Sequence, residues 1–115
     1  MTGNEKLHGG AQRLPARVIN DETMSSQRIS WYEIASGDQC TRHVHEGKFE
    51  TWLVIQGTGV SHVGERKFDV GPGDMIATPP GTPHGLVNTG EMPLRFVNVV
   101  LLYDGQSVTT TELDQ

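Results

Sequence analysis

Basic residues, cysteines, aromatic residues and long apolar runs are all scarce in this chain of 115 residues. It has 9 lysines and arginines against 14 aspartates and glutamates, which gives a net charge of −5 with neutral histidine. This balance, without a basic run, argues against nucleic acid or an anionic membrane as a partner. No apolar stretch approaches the ~20 residues of a membrane span, and the first residues form no hydrophobic signal region, so we expect a cytoplasmic protein.

Cys40 is the only cysteine, which excludes an internal disulfide. It precedes His43 by three residues, so on a regular strand its side chain should point to the opposite face from that of His43. We therefore interpret Cys40 as an inert structural residue. A bulge between the two residues would reverse its orientation.

The length fits one domain, which would bury roughly two-thirds of the surface of the unfolded chain. Residues 1–16 are polar and glycine-containing and predict a flexible N-terminal segment. Residues 17–103 form the predicted folded domain, beginning with a short edge strand at 17–19, and 104–115 form a loose polar tail. His8, in the N-terminal segment, is interpreted as an exposed residue without a ligand partner.

Alternating and β-branched stretches predict strands over residues 28–35, 51–55, 75–78 and 94–102. Val60–Val63 and Arg66–Val70 bracket Gly64-Glu65, a two-residue loop of the kind that closes a hairpin. The pattern is typical of an all-β protein.

His43 and His45 are one strand step apart, and Glu50 follows at the start of the next apolar run. Because residues i and i+2 of a strand share a face, both imidazoles can point at one position, with the carboxylate approaching from the neighbouring strand. Two histidines and a carboxylate suit Mn, Fe, Co, Ni or Zn. The alternative is that these are surface histidines on a polar strand.

A second motif lies downstream. The two stretches read Gly37-x5-His43-x-His45-x4-Glu50-x6-Gly57 and Gly73-x5-Pro79-x-Gly81-x2-His84-x3-Asn88. Together they resemble the two motifs of the cupin superfamily, with each fixed position present.

The resemblance implies an antiparallel double-sheet β-barrel of the jelly-roll kind. It also implies one divalent transition metal per chain (Fe, Mn, Ni or Zn), held by His43, His45, Glu50 and His84. Asn88 would be structural, and the remaining histidine, His62, matches no motif position. Similar proteins commonly pair N-terminal strands across a dimer, so a homodimer is expected.

The substrate pocket is predicted from strand register. With Glu50 facing the metal, Trp52 and Val54 share its face, and Phe96 with Asn98 would face inward from the last long strand. If Arg95 faced inward instead, it would indicate a carboxylate or phosphate in the substrate.

The site then predicts a metal-dependent enzyme acting on a small organic molecule, with dioxygenase-type oxidoreductase chemistry first and no assigned catalytic side chain. A metal-assisted isomerase or lyase of a sugar or uronate is the alternative, and Glu46 or Tyr103 would then transfer protons. A non-catalytic module that binds a metal or a ligand is the third hypothesis.

Overall fold

The computed structural model describes residues 5–113 of the chain. Within this range the chain forms a short 3₁₀ helix, Asp21–Thr23, and eleven strands. The strands are β1 Glu5–Leu7, β2 Ala11–Arg13, β3 Gln27–Ile34, β4 Gln39–Glu46, β5 Lys48–Gln56, β6 Gly59–Val63, β7 Arg66–Val70, β8 Met75–Thr78, β9 His84–Asn88, β10 Leu94–Leu102 and β11 Thr109–Glu112. Among the described residues, no helix is long and apolar enough to cross a membrane.

The strands form two antiparallel sheets. One has the order β1-β2-β3-β10-β5-β8 and the other the order β11-β4-β9-β6-β7. This arrangement confirms the predicted all-β, double-sheet fold of the cupin-like jelly-roll kind, although the two sheets do not close into a continuous barrel.

The core lies between the two sheets because each long strand turns alternate residues inward. On β10, Leu94, Phe96, Asn98 and Val100 are buried, while the residues between them are at least partly exposed. The face predicted from sequence for Phe96 and Asn98 is therefore the inner one. The hairpin loop at Gly64-Glu65 also forms as predicted, with Val63 opposite Arg66.

Both ends of the chain differ from the expectation. The segment predicted to be flexible, 1–16, contains β1 and β2 in its described part, and β2 pairs with β3. Ala11 is 1% exposed, so this segment belongs to the core. The tail predicted over 104–115 contains β11, which pairs with β4. Short strands such as these gain most of their stability from partners that are distant in sequence, so the local pattern did not predict them.

The edge strand predicted at residues 17–19 is absent from the structure. Val18 and Ile19 are exposed, and β1 and β2 extend that side of the sheet instead. An edge position binds only one neighbour, and here β2 takes the place next to β3.

Candidate metal centre

The four residues of the predicted ligand set meet between the two sheets. His43 on β4 lies directly opposite His84 on β9, and His45 follows on the same face of β4. Glu50 comes from β5 in the other sheet. All four side chains are buried, and one ligand atom from each lies within 4.8 Å of the others. The arrangement is compatible with a divalent metal ion.

A β-bulge shapes the approach to this cluster and corrects the prediction for Cys40. Cys40 pairs with Leu86 and His43 pairs with His84, so β4 has one residue more than β9 between these pairs. The extra residue places the Cys40 side chain on the inner face. Cys40 is 2% exposed there and lines the same cavity as His43. Burial, with Glu50 nearby, raises the pKa of the Cys40 thiol, which therefore stays protonated.

Backbone carbonyls fix the orientation of two imidazoles. Nδ1 of His43 donates to the carbonyl oxygen of Thr41 at 2.8 Å, and Nδ1 of His84 donates to that of Thr82 at 2.9 Å. A carbonyl oxygen only accepts, so each neutral ring keeps its Nε2 lone pair for the cluster. His84 Nε2 is buried and has no hydrogen-bond partner among the described residues, which fits a metal ligand.

The third imidazole has a partner of a different kind. Nδ1 of His45 lies 2.8 Å from the hydroxyl of Thr110 on β11, and its Nε2 lies 2.7 Å from Oε1 of Glu50. Since a hydroxyl can donate or accept, Thr110 is compatible with a proton on either nitrogen of His45. Without metal, Nε2 can donate to Glu50; with Nδ1 protonated instead, Nε2 becomes free to ligate.

The pKa values of His43, His84 and Glu50 place these three residues in the forms that a metal requires. Burial, followed by repulsion from His84, lowers the pKa of His43 to about 3. Burial also lowers the pKa of His84. For Glu50, burial raises the pKa, but the hydrogen bond with His45 and the charge of Lys48 outweigh it and hold the pKa below its ordinary value. Neutral imidazoles and an ionised carboxylate are the states that bind a cation.

The loop before β9 delivers His84 to this position. The amide of Gly81 donates to the carbonyl of His45 at 2.8 Å, which ties the proline-rich loop to the ligand strand. Gly81 has a φ of 78°, a conformation that a side chain would disfavour. Asn88 at the end of β9 is structural, as predicted: its amide nitrogen donates to the carbonyls of Ile34 and Met92.

A cavity of about 340 Å³ opens beside the ligands. Three of the predicted pocket residues, Trp52, Phe96 and Asn98, line it. Val54 does not, because it lies one strand step beyond Trp52, fully buried in the core. A second groove, of about 410 Å³, lies at the edge between β7 and β8, away from the four ligands.

His8 occupies a position that the sequence did not predict. It is half-buried rather than exposed, its ring stacks on that of His43 with centroids 3.6 Å apart, and its Nδ1 contacts the Glu112 carboxylate. The chain reaches the cavity here because the residue after His8, Gly9, bridges to Cys40. His8 and Glu112 thus join the two end segments above the cluster.

The cavity wall also contains residues that sequence analysis did not single out: Arg13, Tyr32, Lys48 and Thr110. Lys48 Nζ lies 3.5 Å from Oε1 of Glu50. The run of β-branched residues from Val108 to Thr111 is a strand signal that could have identified Thr110. In the sequence, nothing marks Arg13 or Tyr32 as cavity residues, since their place depends on pairing between β2 and β3.

Three further candidates lie outside the cavity. Arg95 points outward and pairs with Glu33 at 2.7 Å, so it does not indicate an anionic substrate. Glu46 is exposed, and neither it nor Tyr103 lines the cavity. The proton-transfer groups suggested for an isomerase are therefore not beside the ligands.

Comparison with known proteins identifies the family. The cupin domain model matches residues 30–100. The oxalate-binding protein of Thermotoga maritima is 29% identical over 89 residues, which cover 76% of this chain and 74% of that protein.

Solved structures have the same architecture. The crystal structure of a predicted oxalate decarboxylase from Thermotoga maritima superposes with a TM-score of 0.76 at 26% identity, covering 87% of this chain and 90% of that one. A putative sugar phosphate isomerase from Acidithiobacillus ferrooxidans gives a TM-score of 0.70 at 22% identity, covering 87% and 65%, and is a likeness of fold alone.

Proposed function

The chain belongs to the cupin superfamily, and on that basis we propose that it binds a divalent transition metal at His43, His45, Glu50 and His84 and acts there on a small organic acid. The reaction that we propose is oxidoreductase chemistry of the dioxygenase kind. The observation that best supports this proposal is the positive charge of the cavity beside the ligands.

Two cationic side chains line this cavity, Lys48 and Arg13, and Glu50 is the only carboxylate among the lining residues that the structure describes. A divalent ion balanced by one carboxylate leaves a net positive charge, and Lys48, whose Nζ lies 3.5 Å from Glu50 Oε1, adds to it. In a largely buried space such an excess favours an anionic ligand with oxygen donors. The relative from Thermotoga maritima, described as an oxalate-binding protein, supports a carboxylic acid as the substrate class.

The rest of the wall favours a reaction in partial isolation from water. The ring centroids of Trp52 and Phe96 are 4.6 Å apart, and those of Trp52 and His84 are 5.2 Å apart. The indole nitrogen of Trp52 donates to Oε2 of Glu50 at 3.2 Å, which orients the carboxylate. These contacts hold the ligand set rigid and give the substrate an apolar wall.

A redox-active ion held there would supply a route for electrons between an organic acid and dioxygen. The chain would bind and orient the substrate and exclude water from it. The isomerase alternative loses the two proton-transfer groups that the sequence suggested for it, because both Glu46 and Tyr103 lie outside the cavity.

The first test is elemental analysis of protein purified without added metal and without a histidine tag, followed by calorimetric titration with oxalate and measurement of oxygen uptake. We expect a stoichiometric transition metal, metal-dependent binding and oxygen consumption with a substrate of this class. Binding of the acid without turnover would support a non-catalytic module instead. If the protein retains no metal and takes up none when it is supplied, the proposal fails.

We also propose a homodimer, but one that forms through the outer face of the six-stranded sheet and not through paired N-terminal strands. The outer face of the six-stranded sheet carries exposed apolar side chains, including Ile29 opposite Val99 and, beyond them, Leu101 and Ile55. An exposed apolar sheet face of this kind is typical of a subunit contact. Light scattering of the wild type should give twice the chain mass, and Val99→Lys should give a monomer. A monomeric wild type would contradict this part of the proposal.

A further inference from the structure

Lys48 places an ammonium group at the edge of the ligand cluster. Its Nζ lies 3.5 Å from Oε1 of Glu50, and the same oxygen lies 2.7 Å from Nε2 of His45 and 3.8 Å from Nε2 of His84. The ammonium is therefore as close to this carboxylate oxygen as one of the candidate ligands is. Lys48 also lines the cavity that opens beside the ligands. A molecule bound in that cavity would meet both the cluster and the ammonium.

The ammonium of Lys48 has donors to spare. An ammonium group has three donors, and its charge-assisted bonds to carboxylates are usually about 2.7–2.9 Å long. The contact with Glu50 is longer, at 3.5 Å, and among residues 5–113 only this carboxylate lies within ion-pair distance of Nζ. The side chain keeps 17% of its surface accessible. Lys48 can thus donate to a second anion while it stays beside Glu50.

The turn before β5 fixes the position of Lys48. Gly47 has a φ of 84°, and a Cβ at this position would clash with the carbonyl oxygen of Ser107. The amide of Tyr103 donates to the carbonyl of Gly47 at 3.2 Å, which ties this turn to the end of β10. On β5, Lys48 and Glu50 are two residues apart and share a face. The backbone therefore keeps the ammonium and the carboxylate on the same wall of the cavity.

Metal binding would change the charge beside this ammonium. Without metal, the carboxylate of Glu50 offsets the charge of Lys48. A divalent cation bound by Glu50 reverses the sign of the neighbouring charge, because two positive charges exceed that of one carboxylate. Like charges in a largely buried space repel each other unless an anion lies between them. An acid that bridges the metal centre and Lys48 would remove this repulsion.

We propose that Lys48 binds the second carboxylate of a short dicarboxylic acid whose first carboxylate lies at the metal centre. The acid is short because the ammonium lies beside the ligand cluster and not across the cavity from it, with Nζ 3.5 Å from an oxygen of Glu50. Carboxylates on adjacent carbons, as in oxalate, match this arrangement, whereas succinate places two further carbons between them. Because the metal holds the first carboxylate, Lys48 has this role only if the proposed function is correct.

Calorimetric titration of the Mn²⁺-loaded protein with oxalate, oxamate and succinate tests this role. Oxamate keeps the shape of oxalate but replaces one carboxylate by a neutral amide. Lys48→Met removes the ammonium and keeps most of the length of the side chain, and Lys48→Arg keeps the charge. Lys67→Met is the matched control, because Lys67 is an exposed lysine on β7 that does not line the cavity.

We expect Lys48→Met to weaken oxalate binding about 10- to 100-fold, as for loss of a charge-assisted hydrogen bond, and oxamate or succinate binding at most about threefold. Lys48→Arg should bind oxalate more tightly than Lys48→Met does, and Lys67→Met should bind all three acids as the wild type does. Comparing each variant with the wild type for the same acid cancels the preference of the ion itself for one acid over another.

Metal affinity measured without acid separates a charge effect from a structural one. In a chelator competition assay, Lys48→Met should bind Mn²⁺ about 2- to 10-fold more tightly than the wild type, because a neighbouring cation no longer repels the ion. If Lys48 only maintained the fold, its replacement would weaken the binding of metal and acid alike. Opposite changes in the two affinities therefore distinguish the proposed role from a structural one.

The role of Lys48 is overturned if Lys48→Met leaves oxalate affinity unchanged, weakens oxamate or succinate binding as much as oxalate binding, or fails to tighten Mn²⁺ binding. It is also overturned if the metal-loaded wild type does not bind oxalate. The proposed function survives these results as long as the wild type binds one of the other acids, and a wild type that binds none of the three would overturn both. Metal content measured after each titration confirms that the acid bound to the protein and did not strip the ion.

Discussion

The buried, neutral imidazole of His43 should make the metal-free protein sensitive to acid, and His43→Gln should remove the part of that sensitivity that comes from His43. In the unfolded chain this group titrates at its ordinary pKa of 6.5, whereas in the fold its pKa is lowered to about 3. Between these values the unfolded chain binds a proton that the folded chain does not. The contribution of His43 to the free energy of unfolding therefore falls as the pH drops below about 6.5 and levels off near pH 3.

The size of the effect follows from the two pKa values. Between about pH 7.5 and about pH 5, the loss from His43 alone comes to about 2 kcal/mol, since each pH unit within the window is worth about 1.4 kcal/mol. His84 adds to the loss in the same direction because burial lowers its pKa as well. The wild type should thus lose at least about 2 kcal/mol, and His43→Gln should lose about 2 kcal/mol less than the wild type.

Urea unfolding in EDTA, monitored by tryptophan fluorescence across this pH range, measures the effect. His62→Gln is the control, because His62 lies on β6 outside the metal centre and is partly exposed, so that solvent screens it. It should alter the pH slope less than His43→Gln does. A wild type whose stability is constant to about pH 5 would refute the reasoning, and so would a His43→Gln variant with the wild-type slope.

Three further variants test the metal centre. His84→Ala should remove most bound metal while far-ultraviolet circular dichroism still reports a folded β protein; full metal occupancy would contradict the ligand assignment. Thr110→Val removes the partner of His45 Nδ1 and should weaken metal affinity about 10- to 100-fold in a chelator competition assay. An unchanged affinity would mean that the contact with Thr110 does not orient His45 for metal binding. Gly85→Ala places a Cβ 3.0 Å from the carbonyl oxygen of Cys40 at the bulge. It should lower the free energy of unfolding by about 1–3 kcal/mol, which thermal or urea unfolding would measure, and an unchanged stability would mean that the bulge adjusts freely.

The residues that sequence analysis grouped correctly are those with local periodicity. His43 and His45 share a face because they are two apart on a regular stretch of β4, and Phe96 with Asn98 face inward for the same reason. The fold class was implied by the resemblance to the cupin motifs. These are properties of short stretches of sequence, so they can be predicted without knowing which strands pair.

The errors concern what depends on partners distant in sequence. Cys40 was predicted to face away from His43 because the two residues are an odd number of positions apart on a regular strand. The β-bulge between them adds one residue to β4 and so turns both side chains to the same face. Arg13 and Thr110 enter the cavity only because short polar strands at the two ends pair with β3 and β4. The composition of β2 resembles that of a loop, whereas β11 carries a β-branched run that is a usable strand signal, and in both cases pairing with a neighbouring strand decides the position in the sheet.

The candidate ligands and part of the cavity wall come from different parts of the chain. Residues 30–100, which match the family model, contain the four candidate ligands, whereas His8, Arg13 and Thr110 come from outside that range. Changes in these flanking strands would therefore alter the cavity wall without replacing any of the four candidate ligands. Trimming the chain to residues 30–100 would keep the candidate ligands but remove part of the cavity wall beside them.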